Sequence, residues 1–93
     1  MHCLEQYYSG DEHWLIFSKL YRKYGVCEEV VNLSKKFNSD IILASVIYGK
    51  IGENYYLEWI EKKIPALDYL SPLDCSGRRD LTNRLKEMLM RMP

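Results

Sequence analysis

Cysteine, histidine, glycine and proline are all scarce in this 93-residue chain, at three, two, five and three residues. The cysteines, Cys3, Cys27 and Cys75, form no Cys-x-x-Cys pair and leave an odd count, so neither a disulfide framework nor a zinc site is indicated. Reduced thiols in a cytoplasmic protein fit best. The two histidines, His2 and His13, are too few and too far from any nucleophile pattern to suggest general acid–base chemistry. No HExxH, GxSxG, P-loop or GxGxxG pattern occurs. No catalytic residue, metal or cofactor is therefore expected, and the chain reads as a non-enzyme.

Excess charge of one sign is missing too. Thirteen basic and 13 acidic side chains give a formal net charge of zero, which argues against a protein whose main task is to hold nucleic acid. The distribution is uneven: residues 1–77 hold 8 basic and 11 acidic side chains, whereas residues 78–93 hold 5 basic and 2 acidic. The last segment is the cationic end. No stretch approaches the roughly 18 apolar residues of a membrane span. The opening MHCLEQYYSGDEHW lacks the basic patch and apolar run of a signal peptide. A soluble, non-membrane protein is expected.

What is abundant is apolar and aromatic surface. Hydrophobic residues make up 47% of the chain, and eight Tyr and two Trp give it an aromatic content too high for a disordered segment. The length allows one small domain with a thin core. Residues 1–10 carry no periodicity and read as a tail or lead-in. Residues 11–93 then read as a single all-α bundle of about five to six short helices.

The first helix starts at Asp11, with Trp14, Leu15, Phe17, Leu20, Tyr21 and Tyr24 at spacings of three and four and Gly25 as its C-terminal cap. A second apolar stripe, Val26, Val30, Val31, Leu33 and Phe37, ends at Asn38. The β-branched run Ile41–Gly49 could be a buried strand or a buried helix. Ser39 or Asp40 as N-cap, and the lack of a partner strand, favour helix. Gly49 and Gly52 interrupt the chain around Ile51. Glu53–Lys63 predicts another helix, with Tyr56, Leu57, Trp59, Ile60 and Ile64 inward, stopped by Pro65. Ser71 and Pro72 fit the N-cap and first position of a short helical turn. Arg78–Met92 is amphipathic, with Leu81, Leu85, Met88, Leu89 and Met92 on one face.

Two features could serve binding. The pairs Tyr7-Tyr8 and Tyr55-Tyr56 could stack on bases, but their neighbours Glu5, Glu53 and Glu58 are acidic, which favours packing instead. Serial short helices invite comparison with a helix-turn-helix, yet no outward Arg, Asn or Gln cluster is available to read bases. DNA binding is expected to be weak or absent. The more informative oddity is the C-terminal helix, where Met88, Met90 and Met92 fall within five residues beside Arg91. An adaptable, cationic and apolar tip of this kind suits insertion into a partner's groove. The stripe Leu81, Leu85 and Leu89 is expected to hold the helix down even without the last four residues.

The stretch Trp59–Pro93 resembles the C-terminal toxin-binding domain of the Xre/MbcA/ParS antitoxin family, and Ile41–Glu58 extends the likeness more weakly to 41–93. The matching pieces are Trp59, then Pro65-Ala66-Leu67-Asp68, Ser71-Pro72-Leu73-Asp74, Gly77-Arg78-Arg79 and the closing run Arg84 to Pro93. Residues 1–40 carry no recognisable helix-turn-helix, and the loop from Asp74 to Gly77 is shorter than the family's. The resemblance implies a protein that neutralises a cognate toxin, commonly a RES-type enzyme that consumes NAD or transfers ADP-ribose, by covering its active site. Candidate charge contacts are Arg78, Arg79, Arg84 and Arg91, and candidate apolar contacts Met88, Met90, Met92 and Pro93. Trp59, Pro65, Leu67, Ser71, Pro72, Leu73 and Gly77 would shape the domain. Alternatives are a small DNA-binding regulator, acting as a homodimer on two half-sites, and a phage-type inhibitor or adaptor of another host enzyme.

Overall fold

Asp40 sets the centre of the fold. Its backbone is extended and its carboxylate accepts a hydrogen bond from the Leu43 amide at 3.0 Å, an N-cap that starts a helix over Ile41–Ile51. In the computed structural model, which describes residues 11–92, this helix (α3) buries six consecutive residues, Leu43 to Tyr48. A helix covered on every side needs no polar face, so the run that reads equally well as a strand is satisfied as a helix whose hydrogen bonds are all internal.

The other elements wrap α3. They are α1 (Asp11–Ser18), a 3-10 helix (Lys19–Val26), α2 (Glu28–Ser34) with a 3-10 turn (Lys35–Phe37), α4 (Tyr56–Trp59), a second 3-10 turn (Pro65–Leu67), α5 (Pro72–Cys75) and α6 (Arg79–Arg91). No strand occurs among the described residues, and the protein is a small all-α domain. Trp14, Val30, Leu33, Phe37, Leu43, Ile47, Ile60, Leu67, Leu85 and Leu89 belong to one core.

The first predicted helix is two different helices. It tightens to 3-10 geometry after Ser18, and with three residues per turn Tyr21 and Tyr24 come into line on α3 while Leu20 turns outward, 68% exposed. Gly25 lies inside the 3-10 helix rather than capping it, and Val26 is 90% exposed instead of leading the second stripe. Gly49 is the residue that lets the tyrosines in. A Cβ there would stand 2.5 Å from ring atoms of both Tyr21 and Tyr24. Gly49 lies within α3, and the helix ends at Gly52, with φ of 106°.

The predicted helix over 53–63 is shorter than the sequence suggests. Only Tyr56–Trp59 is α-helical, and Leu57 faces solvent. The chain turns at Ile60 because its carbonyl accepts the Leu73 amide at 3.1 Å, a bond that a continued helix would have used internally. Ser71 and Pro72 behave as their chemistry predicts. Ser71 Oγ accepts the Asp74 amide at 3.2 Å, and Asp74 Oδ2 accepts the Ser71 amide at 3.0 Å, closing a capping box with Pro72 at the first helical position. Gly77, with φ of 84°, then redirects the chain into α6. The proposed tail, residues 1–10, and Pro93 lie outside the described residues.

Candidate functional site

The spacing of apolar side chains in α6 sets which of its faces is buried. Leu85 and Leu89 are fully enclosed, Leu81 and Met92 half-buried. That same stripe includes three of the candidate contact residues, Arg84, Met88 and Met92. Met88 is 9% exposed and packs into the core, and Arg84 is 6% exposed. Arg84 sits three residues after Leu81 and four before Met88, so helical geometry carries it inward with them. Its Nη1 donates to Asp68 Oδ2 at 2.6 Å. Arg84 is thus part of the interior, and Met88 keeps only a small part of its surface exposed.

The Arg84–Asp68 pair fastens an unusual loop. Asp68 and Tyr69 both occupy left-handed backbone, at φ of 55° and 65°, which ordinary side chains rarely adopt. The loop is closed by the Ile64 amide bonding to the Leu70 carbonyl at 3.1 Å and the Tyr69 amide to the Ile64 carbonyl at 3.0 Å. Leu67 plugs its inner side with no exposure, and Tyr69 projects outward, 68% exposed. Pro65 starts the loop's 3-10 turn, and Leu73 is half-buried in α5 beyond it.

The tip of α6 is also fastened. Arg91 donates through Nε to Glu87 Oε2 at 2.6 Å, one helical turn back. Lys50 of α3 donates through Nζ to the Met92 carbonyl at 2.6 Å, satisfying an otherwise orphaned group at the helix end. Glu87 is itself buried, so Arg91 also compensates an interior charge. The last turn is therefore held by more than the leucine stripe. Met90 and Met92 are half-buried, while Arg78, Arg79 and Arg91 are exposed, Arg78 pairing with Asp80 at 3.2 Å.

Beside this tip runs an open groove of about 290 Å³ between α4, the 64–65 segment and the end of α6. Trp59, Ile64, Pro65, Met88 and Met92 give it an apolar lining, and Tyr55, Lys62 and Lys63 complete it. Lys62 Nζ lies 3.4 Å from the Tyr55 hydroxyl, and Lys63 Nζ 3.3 Å from Asp74 Oδ2. Met88 and Met92, which the sequence offers as parts of an insertion tip, form one wall of this groove. Lys62 and Lys63 carry no distinctive sequence signal, and only the fold brings them to Met92.

Two groups near α5 have shifted acidities. The Asp74 carboxyl is held below its ordinary value chiefly by the Ser71 amide, then by the Ser71 hydroxyl and Lys63. Burial pushes the Cys75 thiol up to about 11, partly offset by Arg84. At neutral pH Cys75 is protonated and enclosed, the opposite of an activated nucleophile. His13 is exposed on α1. Among the described residues no group of three or more His, Cys, Asp or Glu is placed to hold a metal ion, and no helix is long and apolar enough to cross a membrane. The site combines an apolar trough, a cationic margin and a hydrogen-bonded loop presenting one exposed tyrosine. Comparison with protein-family models, curated proteins and solved structures gives no match for this chain.

Proposed function

We propose that the protein is a binding inhibitor of the antitoxin kind, which covers the active site of a cognate enzyme with the end of α6 and the groove beside it. The enzyme is of the RES type, consuming NAD or transferring ADP-ribose. The observation that most supports this is the groove. Trp59, Pro65, Met88 and Met92, all residues that carry the family resemblance, come together there from three separate segments. Apolar concavities with a few charged groups at the margin are the usual form of a peptide- or side-chain-binding site. Its occupant is an apolar segment of the partner that also bears carboxylates, since Lys62, Lys63 and Arg91 make this end of the molecule cationic.

The mode of inhibition we favour differs from insertion of the last helix alone. With Met88 mostly buried and Met92 tethered by Lys50, we take the tip to act in place rather than to detach and plug a distant pocket. It acts as one lip of a rigid receptor, with Arg79 and Arg91 as peripheral charges. No chemistry by the protein's own side chains is needed.

The test uses the chain as bait, followed by assay of NAD consumption by the captured enzyme before and after it is stripped from the bait. Consumption that appears on stripping and disappears on adding back the chain is expected. Met92→Asp or Lys62→Glu should raise the concentration needed for inhibition by tenfold or more while circular dichroism stays helical. If no NAD-consuming enzyme is captured, or if both variants inhibit as the parent does, the reading is wrong.

A further inference from the structure

A second concavity lies away from the groove, between the 3-10 helix Lys19–Val26 and the end of α3. It is lined by Tyr24, Cys27, Tyr48, Gly49, Gly52 and Glu53 and is an open pocket of about 350 Å³. Its construction follows from features already described. The missing side chain at Gly49 lets Tyr24 lie against the backbone of α3, and the turn at Gly52 brings Glu53 back over the cavity.

The Tyr24 and Tyr48 rings stand 5.4 Å apart at 57°, two sides of a corner, and Tyr56 backs Tyr48 at 5.1 Å. Aromatic faces carry the negative end of the ring quadrupole, so a corner of two rings attracts positive charge. The carboxylate of Glu53 lines the same cavity and accepts a hydrogen bond from the Tyr48 hydroxyl at 3.4 Å. Burial, then the carboxylates of Glu53 and Glu29, hold the Tyr48 phenol above its ordinary pKa, and burial and Glu29 do the same at Tyr56. No cationic side chain lines the cavity. Lys23 Nζ sits 5.3 Å from the Tyr24 centroid without being part of that lining, an example within the chain of an ammonium held by this ring.

We propose that this pocket binds a small alkylammonium ion, its positive charge set in the corner of Tyr24 and Tyr48 and balanced by Glu53. A metal ion is poorly served, because one carboxylate and one thiol are too few ligands for a hard cation. An anion would meet two ring faces and a carboxylate. A neutral ligand of the same shape would fill the volume but forgo the field, and that difference makes the proposal testable. The site stands apart from the groove at α6 and does not depend on the function proposed there.

The experiment follows the ring proton resonances of Tyr24 and Tyr48 while the full chain is titrated with choline, and in parallel with 3,3-dimethylbutan-1-ol, its uncharged isostere. Saturable shifts with choline at those two rings, and at least tenfold weaker binding of the alcohol, are expected. The exposed Tyr55 and Tyr69 report non-specific contact. Glu53→Gln keeps an acceptor for Tyr48 and lies at the surface, so the fold should persist while choline binding weakens about tenfold. Tyr24→Leu should also weaken binding, with a thermal melt run alongside to separate loss of the ring from loss of the fold. Equal binding of the alcohol, unchanged affinity in Glu53→Gln, or shifts no larger at Tyr24 and Tyr48 than at Tyr55 and Tyr69 would each overturn the proposal.

Discussion

The two ends of the chain are held by different forces. Residues 11–37 pack by rings and aliphatic area: Trp14, Phe17 and Tyr21 form a ladder with centroids 6.0 and 5.4 Å apart, and Val30, Leu33 and Phe37 are buried beneath. Residues 60–92 are irregular for half their length and rely on directional bonds. The capping box at Ser71, the Arg84–Asp68 and Arg91–Glu87 pairs, and the closed Ile64–Leu70 loop all lie there. Area-driven packing tolerates small shifts of one helix against another. Hydrogen-bonded loops do not, because each bond fixes an angle as well as a distance. The groove is built where geometry is specified most tightly.

Breaking the ring-packed end should have the largest effect. Trp14→Ala removes an almost fully buried ring that packs α1 against α6 and lies under the ammonium of Lys86, and should cost about 3–5 kcal/mol in denaturant unfolding. Arg84→Ala attacks the directional end. Asp68 is 56% exposed and can regain water, so the loss should be about 2 kcal/mol rather than that of a fully buried pair. The distinguishing readout is local: amide exchange at Tyr69 and Leu70 should accelerate in Arg84→Ala far more than in Trp14→Ala at equal stability. Equal acceleration in both would erase the contrast between the two ends.

Smaller still is Ser71→Ala, at about 0.5–2 kcal/mol from loss of one arm of the capping box. Acid removes the other arm. Because the folded Asp74 carboxyl lies below its unfolded value, its contribution is complete above the ordinary carboxylate range and is lost as pH falls through the lowered value. The parent should therefore lose stability on acidification that Ser71→Ala has already lost in part. The smallest effect at neutral pH is that of Cys75. With its thiol raised from 9.0 to about 11, the folded state holds that proton more tightly, so its stabilisation is full below about 9 and is lost as pH rises towards 11. Native alkylation read by mass spectrometry should label the half-buried Cys27 well before Cys75. Simultaneous labelling would show that α5 opens as readily as the N-terminal end.

Where one residue's own chemistry decides the outcome, the sequence was legible. Asp40 caps α3, Ser71 and Pro72 start α5, and Leu85 and Leu89 face the core because each signal is complete within a few positions. The change to 3-10 geometry after Ser18 was not legible, since it is set by how Tyr21 and Tyr24 meet Gly49 some 25 residues on. Arg84 was misplaced for a subtler reason. Its position on the apolar stripe was visible, but a charge there implies a partner, and Asp68 lies sixteen residues away on a loop with no periodicity. The Glu87–Arg91 pair, four residues apart, could have been read directly from helical spacing. The groove required three segments to be brought together, and no local pattern encodes that.

Lys50 joins parts of the chain that are far apart in order of synthesis and in order of assembly. One ammonium lies 5.4 Å from the Phe17 ring and donates to the Met92 carbonyl, 42 residues further on. A contact with that much intervening chain forms only after the loop between its ends has closed, whereas α3 needs only its own neighbours. On that argument the joint between α1, α3 and α6 is expected to form late in folding and to open early in unfolding. Lys50→Met should quicken unfolding in a stopped-flow chevron and leave the refolding arm almost unchanged. The lip of the groove would then be among the last parts of the protein to complete itself, with this lysine one of the bonds that hold it closed.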